Sequence, residues 1–384
     1  MIETLEISPA LRSRFAGLDR NTWLVSHSMG APPLAAREAL TTYFDDWAEH
    51  GPEAWPHWLD LAAEIADGIG ALFGAPKNSV WLAPNVSVLQ AAIASSLSFA
   101  GERNEVVYES LMFPSLAYVW DGWRRMGAVT RVVPDDDGIT IPTERICAAI
   151  TERTAVVVLS HAYYESGALI DVAPIVARAH AMGALVVLDS YQTTGTVPFD
   201  VVALDVDVVV GGSHKWLCGG PGCGYIYVKP GLQERFDPLV TGWWAHRDPF
   251  AFAAAPMVYA AGPARWSTGT PTIPGYVVAR AGHDLIRAIG LDAIRAYNGR
   301  LTNRIIAFAH DRGWRVKTPL DPAKRTGWIG IDLPDAARVQ AQLLERRIIV
   351  DHRPRCGLRI GPHFYTTDED LQTLFDALDA IVGR

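Results

Sequence analysis

Three residues stand where a polar side chain is costly and where their chemistries could be combined. Lys215 lies in the stretch 207–228, DVVVGGSHKWLCGGPGCGYIYV, after an apolar run (Val208, Val209, Val210) and the turn-permitting pair Gly211-Gly212. A glycine-rich run, 219–224, and a second β-rich stretch, 225–228, follow it. Lysine ordinarily snorkels to a solvated face. Framed by glycines, an aromatic residue and two strands, Lys215 reads instead as an amine in a partly dry pocket, with a lowered pKa and nucleophilic toward carbonyls. Asp189 ends the apolar run 184–188, where a carboxylate is expensive unless it meets a cation. Twenty-six residues separate it from Lys215, enough for one β-α-β crossover that brings both to one sheet edge. Arg359 sits inside the strand-like 357–360. Either a bidentate carboxylate ligand or an internal salt bridge, for instance to Asp351, would satisfy it.

The elements that must position these groups can be read from periodicity. Strands at 80–83, 104–110, 127–133, 154–160, 184–189, 208–210 and 225–228 alternate with helices, which predicts an α/β, doubly wound, mostly parallel sheet of about seven strands. Binding then belongs at the carboxyl ends of the strands. Ser87 suits the N-cap of an apolar helix over 88–99, and free N–H groups at such a terminus suit a phosphate. Phe113 follows a strand end and is either core or a stacking surface. Upstream, 1–20 reads as a short amphipathic helix, 22–33 as a strand and turn, and 34–74 as two helices broken at Gly51-Pro52. Downstream, 276–313 is helical with breaks at Gly290 and Gly299. Strands at 327–331 and 348–350, a helix at 336–346 and a capped helix at 368–382 make a small α+β domain.

Bulk properties narrow the function. The 384 residues are 49% hydrophobic and 20% charged, as in a soluble globular enzyme, and long enough for two domains. The net charge of −8 argues against nucleic acid or an anionic membrane as partner. No apolar run has the length of a membrane span, and the first residues lack a signal peptide's apolar centre. Cys147, Cys218, Cys223 and Cys356 have no paired spacing, so a reducing cytoplasm without disulfides is expected. His50 and His57 lack metal-ligand spacing, and no metal is expected. His161 reads as a satisfied histidine with at most a pocket role.

The lysine segment resembles that of class V pyridoxal-phosphate enzymes, the group containing kynureninases, cysteine desulfurases and several aminotransferases. Other segments follow in the family's order. His27-Ser28-Met29-Gly30 is similar to a kynureninase Asn-Ser-Leu-Gly, Phe113-Pro114-Ser115 to Phe-Pro-Thr, and 160–167 to Ser-His-Val-x-Tyr-x-x-Gly. Gly242-Trp243-Trp244-Ala245-His246 and 265–271 resemble Gly-Trp-x-Gly-His and Arg-Phe-x-x-Gly-Thr-Pro. His214 stands where kynureninases have Tyr, and Gln192 where many relatives have His.

The resemblance implies a fold-type-I homodimer with a large domain at 40–270, a small α+β domain at 271–384, and residues 1–39 joining the latter. It implies that pyridoxal 5'-phosphate is carried by Lys215 and that Asp189 holds its pyridinium, keeping the ring an electron sink. Phe113 would stack on the ring, with Gln192, Ser213, His214 and Trp243 around it. Val86, Ser87, Tyr259 and the partner subunit's Thr270 would bind the phosphate. An amino-acid substrate would meet His27, Ser28, His161 and, through its carboxylate, Arg359. The activity implied is kynureninase-like hydrolysis of the Cβ–Cγ bond of an aryl-keto amino acid. A class V aminotransferase or another β-cleaving lyase is the alternative. A desulfurase fits less well, because Cys356 lies only three residues before Arg359. A catalytically silent binding module is the remaining reading, and the intact Lys-Asp-Arg set argues against it.

Overall fold

The computed structural model describes residues 9–383. Its centre is a seven-stranded sheet formed by β1 (Val80–Ala83), β2 (Glu105–Glu109), β3 (Val129–Val133), β4 (Thr154–Ser160), β5 (Leu185–Asp189), β6 (Val208–Gly212) and β7 (Gly224–Val228), in the spatial order β1-β7-β6-β5-β4-β2-β3. Only β7 runs against the rest, pairing antiparallel with β1 and β6, so the expected mostly parallel sheet is observed. The strands alternate their side chains between two cores. Val157, Leu159, Val186, Leu188 and Val209 face one, and Val156, Val158, Val187, Val208 and Val210 face the other. Both faces are covered, which is why these runs are apolar throughout rather than half polar.

Parallel pairing sets the level at which the polar residues emerge. Ser160 is opposite Asp189, and Asp189 is opposite Val210. The carboxyl ends of β4, β5 and β6 therefore share one edge, and Lys215 follows Gly212 by three residues.

Helices Ala35–His50 and Trp55–Gly70 flank the sheet, joined by a 3₁₀ turn over Gly51–Ala54. The helix expected after the first strand starts earlier than the sequence suggests, at Val86, and ends at Ser95. Its cap is Asn85 rather than Ser87: the Asn85 side chain accepts from Val88 N at 3.1 Å. Of the helix expected over 1–20, a single turn, Pro9–Arg12, falls within the described residues, and 1–8 lie outside them. The break expected at Gly299 is absent. Leu291–His310 is one helix, whereas Gly290 does interrupt the chain with φ 88°.

A second core gathers Leu301, Ile305, Ile329, Ile331, Leu358, Ile360, Leu371 and Leu374 with Leu24 from the N-terminal segment. It lies against a four-stranded antiparallel sheet of β8 (Arg315–Val316), β9 (Ile329–Asp332), β10 (Asp351–Arg353) and β11 (Gly357–Ile360), ordered β10-β11-β9-β8. The closing helix Asp368–Val382 has a full capping box between Thr367 and Asp370. The helix Ile273–Ile289 places Ile273, Tyr276, Ala279 and Ile286 in the core of the large sheet. That helix therefore packs with the body of the large sheet, and the four-stranded sheet with its own core makes the small body.

The N-terminal segment is stitched to the small body. Thr22–Trp23 pairs in parallel with Ile348–Ile349, and Val25 bridges to Gly361. A Cβ on Gly361 would lie 2.2 Å from His27 Nδ1. Gly361→Ala is expected to cost about 1–3 kcal/mol in urea unfolding, because the buried imidazole has no room to retreat; an unchanged midpoint would contradict this packing.

Candidate functional site

The strand ends open onto a cavity of about 200 Å³ lined by Asn85, Val86, Ser87, Phe113, Ser115, Ser160, Ala162, Tyr164, Asp189, Tyr191, Gln192, His214 and Lys215. Seven of the expected site residues thus meet in one place: Val86, Ser87, Phe113, Asp189, Gln192, His214 and Lys215. Gly224 lets β7 close against the turn before the helix, since a Cβ there would sit 2.9 Å from the Asn85 carbonyl carbon. That turn brings the first amides of the helix, those of Val86 and Ser87, to the cavity without partners in the helix itself.

Lys215 is half-buried because it faces the cavity, but protein encloses it on every other side. Its Nζ lies 4.5 Å from the Tyr191 ring centroid and 5.5 Å from that of Phe113, and it makes no ion pair among the described residues. Burial brings its pKa down to about 8, with Asp189 opposing and Arg359 adding to the fall. Asp189 is buried, accepts from Tyr191 N at 2.9 Å, and is pushed up to about 6 by burial, which that amide and Lys215 only partly offset. Amine and carboxylate are close enough to influence each other yet are not paired.

Other expected residues are placed differently. Arg359 is no unpaired guanidinium. Its Nε donates to Asp351 Oδ1 at 2.7 Å, its Nη2 donates to Asp351 Oδ2, and its Nη1 donates to the Tyr164 carbonyl at 2.7 Å. Asp351 is opposite Arg359 in the β10–β11 ladder, which explains the pairing. His27 joins the same carboxylate at 2.9 Å and stacks on Trp328, over which Arg359 also lies at 5.3 Å. Burial holds His27 neutral, its pKa down to about 4. Burial disfavours the Asp351 charge, but His27 and Arg359 together keep its carboxyl far below the usual range.

His161 turns away from the cavity, with Nδ1 3.0 Å from Thr193 Oγ1 and its ring edge-on to Phe199. Ser213 is buried with its hydroxyl 2.9 Å from His283 Nε2, so it does not line the cavity. Ser28 belongs to the turn after Val25, to whose carbonyl its N–H is bonded. Tyr259 donates to the Pro238 carbonyl, Trp243 stacks on Phe252, and Thr270 lines a separate cleft with Trp244 and Ser267. Gln192 reaches the cavity with its amide engaged: Nε2 donates to the His27 carbonyl and Oε1 accepts from Trp216 Nε1.

Six lining residues carry no role in the sequence expectations: Asn85, Ser115, Ser160, Ala162, Tyr164 and Tyr191. Asn85 was visible only as part of a turn, and Tyr164 only as part of a motif. Tyr191 lies two residues past Asp189, a spacing that returns its side chain to the same face. Its hydroxyl is 2.9 Å from His214 Nδ1. Burial brings the His214 pKa down to about 4, with Lys215 adding to the effect.

The donor set fits pyridoxal phosphate. An unpaired amine awaits a carbonyl, a buried carboxylate awaits a cation, and a helix N-terminus awaits a phosphate. No group of three or more His, Cys, Asp or Glu suited to a metal occurs among the described residues, and no helix there is long and apolar enough to cross a membrane.

The low pKa of Lys215 has a measurable consequence. Its folded-state value, about 8, lies below the ordinary 10.5, so the charged amine opposes folding at neutral pH, and stability rises as pH climbs from 8 to 10.5. Lys215→Met is expected to raise the stability of the cofactor-free protein by up to about 3 kcal/mol at pH 7, the gain fading as pH climbs from 8 to 10.5. A gain that does not change with pH would show that Lys215 is not the titrating group.

A model of the family described as "Aminotransferase class-V" matches residues 55–374. Among curated relatives, the chain is 28% identical to a kynureninase of Pseudomonas fluorescens, covering 97% of this chain and 92% of that one. It is 27% identical to an uncharacterized aminotransferase, YcbU, of Bacillus subtilis, over 96% of each. Among solved structures, the apo cysteine desulfurase of Thermococcus onnurineus superposes with a TM-score of 0.88 over 99% of both chains, at 19% identity. The cystine C–S lyase C-DES, with its product cysteine persulfide, gives 0.84 at 21% identity over 95% of this chain and 98% of that one. At these identities the structural likenesses establish the fold-type-I architecture. The chain is a pyridoxal-phosphate enzyme and belongs to the class-V aminotransferase family.

Proposed function

We propose that this enzyme hydrolyses the Cβ–Cγ bond of an aryl-keto amino acid, as kynureninases do, releasing alanine and an aromatic acid. The observation that carries this reading is the near full-length similarity to kynureninases, 28% over 97% of the chain. The walls support it, since Phe113, Tyr164 and Tyr191 give the cavity aromatic surfaces suited to planar groups.

When bound, pyridoxal phosphate supplies the electron sink that stabilises negative charge at the substrate's Cα. The chain's residues then divide the remaining work. Lys215 Nζ, neutral in an appreciable fraction at pH 7, takes the Cα proton and returns it. Asp189 holds a positive ring nitrogen, and that cation would restore its charged form. The amides of Val86 and Ser87 hold the phosphate, and Phe113 covers the ring. Arg359, steadied by Asp351, has the outer edge of its Nη1–Nη2 fork for a substrate carboxylate. In the homodimer we propose, Thr270 would act at the partner's cavity rather than its own.

Transamination is the second reading, favoured by the similarity to YcbU and by His214 in the position of the kynureninase Tyr. Desulfuration through a thiol of this chain is disfavoured. Cys356 is buried, its pKa pushed up to about 11 by that burial, and it does not line the cavity.

Incubating the holoenzyme with kynurenine is expected to yield anthranilate and alanine in equal amounts. Accumulation of pyridoxamine phosphate without anthranilate would replace hydrolysis by transamination. Arg359→Gln is expected to raise KM by about tenfold or more, since a charged hydrogen bond to a carboxylate is worth about 1.5–3 kcal/mol. An unaltered KM would remove Arg359 from substrate binding.

A further inference from the structure

We infer that Tyr191 is a positioning residue that fixes the tautomer of His214, so that the imidazole presents its Nε2–H to the cavity as a hydrogen-bond donor. The inference rests on donor and acceptor accounting. The Tyr191 hydroxyl and His214 Nδ1 are 2.9 Å apart, and this is the only hydrogen bond of that hydroxyl among the described residues. The phenol has one proton, and a neutral imidazole has one N–H. If Nδ1 carried the imidazole proton, it would donate to the phenolic oxygen and leave the phenolic proton without an acceptor. If the phenol donates to Nδ1, both groups are satisfied and the imidazole proton must sit on Nε2. Burial favours this arrangement, because it keeps Tyr191 protonated and His214 neutral.

The geometry leaves Tyr191 little freedom. Its backbone N–H is fixed on Asp189 Oδ1 at 2.9 Å, and its ring lies beside the Lys215 amine. The hydroxyl end runs over Gly212, where a Cβ would fall 2.1 Å from the phenolic oxygen. Any side chain at 212 would displace the phenol. Tyr191 thus touches the three titratable groups closest to it in the cavity: Asp189 through its backbone, Lys215 through its ring face, and His214 through its hydroxyl. His214 lines the cavity, and its Nε2 has no partner among the described residues. A donor held there calls for an acceptor oxygen, carried either by the cofactor's phosphate or by the substrate's carbonyl or carboxylate. The inference requires only a pyridoxal-phosphate site and is independent of which substrate bond is broken.

Tyr191→Phe removes one oxygen and keeps the ring, so folding is preserved. In holoenzyme labelled with ¹⁵N-histidine, with the His214 signals assigned by their loss in His214→Gln, Nδ1 is expected to resonate as an unprotonated nitrogen. In Tyr191→Phe it should shift toward a mixture of tautomers. kcat/KM on the enzyme's substrate is expected to fall about three- to tenfold in Tyr191→Phe. The same substitution in a His214→Gln background should cause no further loss, because its effect passes through His214. A rise in the dissociation constant for pyridoxal phosphate would place the acceptor on the phosphate. An unchanged constant with altered KM or kcat would place it on the substrate. Unchanged His214 nitrogen shifts in Tyr191→Phe, or additive losses in the double variant, would overturn the inference.

Discussion

The site depends on an amine and a carboxylate that protein encloses together without letting them pair. Lys215 and Asp189 each feel the other, but burial is the larger influence on both, lowering the amine to about 8 and raising the carboxyl to about 6. A direct salt bridge would have recovered part of the desolvation cost. The sheet prevents it by fixing Asp189 at the end of β5, with an oxygen held by the Tyr191 amide, while Lys215 enters from the turn beyond β6. Both groups are therefore left unsatisfied in a way that a ligand bearing a carbonyl and a cationic ring nitrogen relieves. Such tension can be sustained because the strands beneath are packed on both faces, so the backbone carrying the two groups has no room to relax.

Arg359 shows the opposite solution. Its guanidinium is as buried as Asp189, yet three of its N–H groups are engaged by Asp351 and the Tyr164 carbonyl. The same carboxylate also takes His27, so one anion organises a cation from β11 and a neutral ring from the N-terminal segment. Trp328 lies between them, stacked on His27 and facing Arg359. Removing either member of the Arg359–Asp351 pair would strand the other charge in a dry environment, which costs more than the pair itself contributes. The Arg359–Asp351 pair is thus complete within the small body, whereas the amine and the carboxyl of the large body stay unpaired.

The parts legible in the sequence were those that one element's own pattern determines. Apolar runs ending in Asp189 or in Gly211-Gly212 could only be buried strands, and parallel pairing then brought their ends together. Side-chain direction was not legible in this way. Ser213 and His214 are adjacent in the turn after Gly212, yet one meets His283 and the other Tyr191, because no strand or helix period governs side-chain direction in a turn. The partner of Arg359 depended on an antiparallel register, Asp351 opposite Arg359, set by the turn between β10 and β11. The cap of the helix at Val86 fell to Asn85 rather than Ser87 because both residues are good caps, and only the path of the turn decides between them.

Fold alone does not choose the reaction. Nearly the whole chain superposes on a cysteine desulfurase, while its sequence is closer to kynureninases, so one scaffold is compatible with both chemistries. What separates them is the set of groups able to move protons or sulfur next to the lysine. In this chain Cys356, three residues before Arg359, is buried and held protonated by that burial. A thiolate is the reactive form, and at Cys356 burial outweighs the pull of Arg359 and Arg353 toward it. The groups that do border the cavity beside Lys215 are a neutral imidazole and a phenol, which exchange protons and not sulfur. In the function we propose, chemistry at this lysine is proton transfer, with the carbon skeleton of the substrate deciding which bond gives way.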